Sequence, residues 1–145
     1  MGMYNILDAD LSAYTVLLAD DIELNLVMLK SMLSKYNFKV VTALNGQGVL
    51  DNIREYKPVL VIMDLLMPVL DGYDVIGRIR EKPECSDVRI VVMSALNTNN
   101  YIERALGLRA NDFIAKPVSM GRLYDVVSKQ FEAVLAKRGE ADASI

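Results

Sequence analysis

The sequence predicts an α/β fold: five parallel strands in a doubly wound sheet, with helices on both faces. Three observations predict it. Short, branched, unbroken apolar runs such as Val59-Leu60-Val61-Ile62-Met63 recur along the chain, and a run of that kind reads as a strand buried on both faces. Between these runs the apolar residues change to helical spacing. Strand and helix then alternate five times, and such alternation implies crossover connections and a parallel sheet.

Taken in order, residues 1–13 show no sustained period and read as an N-terminal extension that packs loosely. Thr15 to Ala19 forms the first strand and ends in Asp20-Asp21. From Ile22 to Tyr36 the spacing is helical, with Ile22, Leu26, Leu29 and Leu33 on one stripe. Phe38 to Ala43 is the second strand, and Asn45-Gly46 marks a turn. A helix covers about 47–56 with Val49, Leu50 and Ile53 inward, and Pro58 closes it off before the third strand, which ends at Asp64. Asp71-Gly72 marks the next turn, followed by a short helix from Tyr73 to Arg80. Arg89 to Met93 is a fourth strand ending at Ser94, and Asn97 to Leu106 a polar helix. Asp112 to Ala115 is the fifth strand, ending at Lys116-Pro117. Ser119 then caps a last helix that carries Leu123, Val127, Phe131 and Val134 inward and runs to about Arg138. Residues 14–138 thus make one domain and 139–145 a flexible tail. Strand count and length fit the order 2-1-3-4-5, the flavodoxin-like arrangement.

Composition narrows the chemistry. A hydrophobic fraction of 52% suits a sheet covered on both faces. A formal net charge of −3 and an absence of histidine exclude Ser-His-Asp and Cys-His catalysis and histidine-ligated metals, and give no reason to expect nucleic-acid binding. The single Cys85 forms no internal disulfide, which fits a reducing compartment. No apolar run approaches the roughly 18–20 residues that span a bilayer, and the N-terminus lacks a signal-peptide pattern, so a cytoplasmic protein is expected.

Four strands end in chemistry-bearing residues: Asp20-Asp21, Asp64, Ser94 and Lys116. In the order 2-1-3-4-5 these strands are neighbours, and their carboxyl ends meet where ligands bind in this architecture. The second strand, at the sheet edge, ends in Ala43-Leu44 and brings nothing polar. Each piece has a plainer reading: paired aspartates cap helices, and a serine or a Lys-Pro after a strand often only turns the chain. Their convergence is what asks for a function. Carboxylate charges ~4 Å apart at an effective dielectric of about 20 repel by roughly 4 kcal/mol. Lys116 offsets part of this, and the remainder suits a hard, oxygen-loving divalent cation such as Mg2+.

The segments Leu18-Ala19-Asp20-Asp21, Ile62-Met63-Asp64, Met67-Pro68, Asp71-Gly72, Met93-Ser94-Ala95 and Phe113-Ile114-Ala115-Lys116-Pro117 together resemble the receiver domain of two-component response regulators, over about Tyr14 to Ala136. That resemblance implies a phosphoacceptor signalling switch. Asp64 would accept a phosphoryl group from a partner's phosphohistidine, on a sensor histidine kinase or a phosphotransfer protein. Asp20, Asp21, Asp64 and the backbone carbonyl of Leu66 would hold Mg2+. Lys116 would neutralise, and Ser94 hydrogen-bond, the phosphoryl oxygens. The Lys116-Pro117 bond would be cis. Ser94 and Phe113 would form the switch, with Phe113 rotating inward as Ser94 moves, to reshape the surface read by a downstream partner. The domain would act only on itself, by Mg2+-dependent autophosphorylation and autodephosphorylation.

Other readings fit less well. An aspartate-based phosphatase wants a second acid where Leu66 stands, a flavin carrier wants a glycine- and hydroxyl-rich loop where Asp20-Asp21 stands, and no P-loop is present. Leu66 and Leu96, each two residues past a site residue, offer no hydrogen bond to an attacking water, so slow self-dephosphorylation is expected. Leu24, Val27, Met28 and Met32 lie off the core stripe of the first helix. They would either dock on a partner's helical bundle or lie buried, under the N-terminal extension or in a broad core face. The last helix, at ~30 Å, is long enough to continue into a linker or a homodimer contact.

Overall fold

In the computed structural model, which describes residues 6–95 and 99–143 and side chains up to residue 139, the strands are β1 (Thr15–Ala19), β2 (Lys39–Ala43), β3 (Leu60–Asp64), β4 (Arg89–Ser94) and β5 (Asp112–Ala115). They alternate with α1 (Glu23–Met32), α2 (Gly46–Tyr56), α3 (Gly72–Arg80), α4 (Asn99–Gly107) and α5 (Met120–Ala143). The sheet is parallel, in the order β2-β1-β3-β4-β5. Among the described residues no helix is long and apolar enough to cross a membrane.

Period-two alternation sends successive residues of each strand to opposite faces. Leu17, Ala19, Val61, Met63, Val92 and Phe113 pack with α2, α3 and α4. Val16, Leu18, Leu60, Ile62, Met93 and Ile114 pack with α1 and α5. Because β3 lies inside the sheet and is covered on both faces, all five of its residues are buried, which explains why its sequence is a run rather than an alternation.

Helix starts follow local chemistry. Asn45 accepts the Gly48 N–H at 2.8 Å and Asp71 the Asp74 N–H at 2.9 Å, so the two turn signals are N-caps, and Gly46 and Gly72 are the first helical residues. Ser119 caps α5 by accepting the Arg122 N–H at 3.2 Å, as its place in the sequence suggested.

Several elements depart from the sequence expectation. Ile22 is 54% exposed, because it occupies the N-cap position of α1 rather than its inward stripe. The helix closes at Met32, yet Leu33 and Tyr36 remain buried in the turns beyond it. The last helix continues to Ala143, past Arg138 and through Gly139. Of the polar fourth helix, Asn97 lies outside the described residues, and so does Leu96. Over its described residues, 6–13, the N-terminal extension does not pack loosely: Ile6 and Leu11 are buried against the α1–α5 face. Asn37 accepts the Leu11 N–H at 2.6 Å and donates to Asp10 at 3.0 Å. Tyr14 then meets Phe131 edge-on and accepts a hydrogen bond from Arg138 at 2.9 Å, tying the extension to α5.

Candidate functional site

Register delivers the site. Ala19 pairs with Met63, so Asp20 and Asp64 leave the sheet level with each other. Asp64 pairs with Met93 and Ser94 with Ala115, so Ser94 and the start of the Lys116 loop follow one step on. The loop after β5 is anchored by the Lys116 N–H donating to the Ser94 carbonyl at 3.0 Å, and the Lys116-Pro117 bond is cis.

Asp20 is fully buried and Asp64 nearly so, at 0% and 8% exposure. Lys116 bridges them, its Nζ donating to Asp20 Oδ2 at 3.0 Å and to Asp64 Oδ2 at 2.5 Å across sequence separations of 96 and 52 residues. Burial by itself would push the Lys116 amine down. The hydrogen bonds and charges of Asp64 and Asp20 outweigh it and hold the amine above its ordinary range. The second oxygen of Asp64 accepts the Leu66 N–H at 2.9 Å. Asp20 also accepts the Ile22 N–H at 3.0 Å and the Asn25 amide at 3.2 Å. Each of these side-chain and backbone donors meets a carboxylate oxygen, which is how two buried acids are tolerated side by side.

Asp21 is exposed at the rim, and among the described residues no three acids form a ready-made cation cage. The three carboxylates expected in one pocket are therefore two buried acids and one outer acid. The donor set is still all oxygen, with two acids sharing one ammonium. It fits Mg2+, which commonly takes one or two carboxylates and completes its shell with water and phosphate oxygens.

Ser94 is buried at the end of β4. Phe113, expected to rotate inward as Ser94 moves, is 7% exposed here among the core residues under α3 and α4. Leu66, two residues past Asp64, is 53% exposed. Leu24, Val27 and Met28 are all more than half exposed, so no described residue of the extension covers them, whereas Met32 is half-buried against the core cluster that includes Ile6 and Leu11. Beside them a cavity of about 410 Å³ opens between α1 and the loop after β5, lined by Asp20, Asn25, Met28, Met32, Lys116 and Pro117.

Asn25 has a larger part than sequence reasoning assigned it. Its position five residues after Asp20, in the first turn of a helix that starts at the site, was the available signal. The sequence marked the β3–α3 loop by Met67-Pro68 and Asp71-Gly72 but not the backbone contacts that hold it. The loop is pinned by the Leu65 N–H on the Met93 carbonyl at 3.0 Å and the Gly72 N–H on the Leu65 carbonyl at 2.7 Å.

The family described as response regulator receiver domain matches residues 16–128. The chemotaxis protein CheY of Bacillus subtilis is 32% identical over 118 residues, covering 81% of this chain and 97% of CheY. The transcriptional regulatory protein AfsQ1 of Streptomyces coelicolor is 31% identical over 130 residues, covering 90% of this chain but only 54% of AfsQ1. This chain likewise spans 41% of the response regulator GtcR of Aneurinibacillus migulanus, at 33% identity over 71% of this chain. Among solved structures, the signal receiver domain of a signal transduction histidine kinase from Syntrophus aciditrophicus superposes with a TM-score of 0.76 at 25% identity, covering 83% of this chain and 92% of that one.

Proposed function

This chain belongs to the family of response regulator receiver domains, and on that footing we propose that it is a phosphoacceptor switch whose acceptor is Asp64. The observation that carries the reading is the single ammonium of Lys116 held between Asp20 and Asp64. A carboxylate oxygen of Asp64 attacks the phosphorus of a phosphohistidine on a sensor kinase or phosphotransfer protein. The phosphorus–nitrogen bond breaks, the imidazole leaves, and an aspartyl phosphate remains. Lys116 is placed to follow the charge onto a phosphoryl oxygen, so the protein's contribution is positioning and electrostatics. Mg2+, held by Asp20, Asp21, Asp64 and the Leu66 carbonyl, would neutralise the phosphoryl oxygens when bound. The domain acts on itself alone, in the cytoplasm.

The apolar face of α1 and the cavity beside it support docking of a helical bundle that brings the phosphohistidine to the site. Output follows from the new charge and acceptor oxygens on Asp64. Ser94 donates to them and Phe113 repacks beside it, changing the surface of α4, β5 and α5 that a downstream protein reads. Incubation with Mg2+ and acetyl phosphate, followed by intact-mass measurement, tests the core of this. One phosphoryl group is expected on the wild type and none on Asp64→Ala. An equal gain on Asp64→Ala rules out Asp64 as the acceptor.

A further inference from the structure

The opposite pole of the sheet carries a second feature. Beneath the amino ends of β3 and β4 lies a groove of about 920 Å³, walled by the end of α2, the α3–β4 connection and α5. Its volume is within the range of small-molecule sites. Asp64 ends β3 and Val59 precedes it, so the groove is separated from the phosphoacceptor by the length of the strand, on the order of 15 Å.

The walls are basic in a chain of net charge −3. Arg54 comes from α2, where it pairs with Asp51 at 3.3 Å, Lys57 from the C-cap of α2, Lys82 and Arg89 from the α3–β4 connection and β4, and Arg138 from α5. Facing them are two acids, Glu84 and Asp87, and Asp87 is already paired with Lys137. Lysines and arginines at helix C-termini complement the helix dipole, which accounts for Lys57 and Lys82 but not for Arg89, the first residue of β4.

Arg80, also in the wall, is half-buried without a carboxylate among the described residues. Its guanidinium donates only to the carbonyls of Arg109, Cys85 and Val88 and to the Asn111 amide oxygen. Burial, and then the neighbouring guanidinium groups of Arg109 and Arg89, push it below its ordinary range. Arg89 spends its Nε on Gln130 at 2.7 Å, and its terminal nitrogens meet no acceptor among the described residues. The floor is different in kind: Ile53, Pro58, Val59, Val88 and Val134 present apolar surface.

We propose that this groove binds a small organic polyphosphate of nucleotide size, with its phosphates on the Arg89, Lys57 and Lys82 wall and its ring on the apolar floor. Uncompensated, partly dehydrated arginines are suited to phosphate oxygens. An apolar floor beside them selects an organic phosphate over a bare ion. The site is independent of phosphorylation at Asp64.

Fluorescence titration with trinitrophenyl-ATP, in EDTA to exclude metal-mediated binding at Asp64, tests it on the full chain. Saturable one-to-one binding is expected, retained in Asp64→Ala. Reversing charge at exposed Lys57 and Arg54 (Lys57→Glu, Arg54→Glu), with helicity checked by circular dichroism, is expected to weaken it by about tenfold for each charge reversed. ATP is expected to displace the probe better than either adenosine or inorganic tripolyphosphate. Absence of saturable binding, or binding unchanged in both charge-reversed variants, overturns the proposal. Displacement by tripolyphosphate as good as by ATP overturns the organic-phosphate assignment.

Discussion

At the carboxylate of Asp64 each oxygen has its own donor, Lys116 on Oδ2 and the Leu66 N–H on Oδ1. Two testable consequences belong to these contacts. The Lys116 amine is held above its ordinary 10.5, so its contribution to stability is complete below about pH 10.5 and is lost as pH rises through the folded-state value. Lys116→Gln is expected to lower the melting temperature at neutral pH, by leaving Asp20 and Asp64 without their shared cation. The gap from wild type is then expected to narrow above pH 10.5, in melts recorded from pH 8 to 12. A constant gap over that range counts against the bridge. The second consequence concerns Leu66, whose exposed side chain offers an attacking water no hydrogen bond. Leu66→Asn combined with Leu96→Glu is expected to shorten the lifetime of the phosphorylated form by about tenfold or more, the worth of one well-placed hydrogen bond. Decay of the phosphoprotein, followed by mass or by radiolabel, measures it, and an unchanged rate removes the leucines from the account.

Elements are held at the site by close backbone approach as much as by side chains. The first residue of α3, Gly72, sits where an added Cβ would lie 2.7 Å from the Leu65 Cα. Backbone cannot yield there as a flexible side chain can, so Gly72→Ala is expected to cost about 1–3 kcal/mol and to loosen the β3–α3 loop. Gly77, later in the same helix, has open space around it. Gly77→Ala is expected to stabilise by up to about 1 kcal/mol through helix propensity. Urea denaturation of the two variants separates the effects, and similar shifts of one sign contradict the packing argument. Across from this helix, Arg104 of α4 lies over the Tyr73 ring at 3.9 Å, and Tyr73 Oη donates to the Tyr101 carbonyl at 3.4 Å. The short polar α4 is thereby attached to α3 and not to the sheet alone.

At the scale of the molecule, the described residues before Tyr14 precede the family match over residues 16–128. Leu11 is completely buried there. Leu11→Ala is expected to cost about 2–5 kcal/mol, whereas Leu24→Ala, at a position 64% exposed, is expected to stay within about 0.5 kcal/mol. Chemical denaturation of both variants checks this, and a small effect at Leu11 returns the extension to the loose packing its aperiodic sequence suggested. That extension shows where sequence reading runs out. Ile6 and Leu11 have no period because they fill gaps between α1 and α5, which are distant in sequence. Ile22 misled in the opposite direction, since apolar spacing cannot tell the N-cap of a helix from its buried stripe. What the sequence determined by itself was the strand order, the four strand ends and the residue types placed on them, because alternation and short apolar runs encode local structure and right-handed crossovers leave few ways to assemble it. Only the tertiary structure decided that Lys116 joins Asp20 to Asp64 while Asp21 stays at the rim, that Asn25 turns to Asp20, and that basic residues from separate elements share one groove at the far pole. Those relations depend on register and side-chain direction between segments up to 96 residues apart, and no local pattern records them.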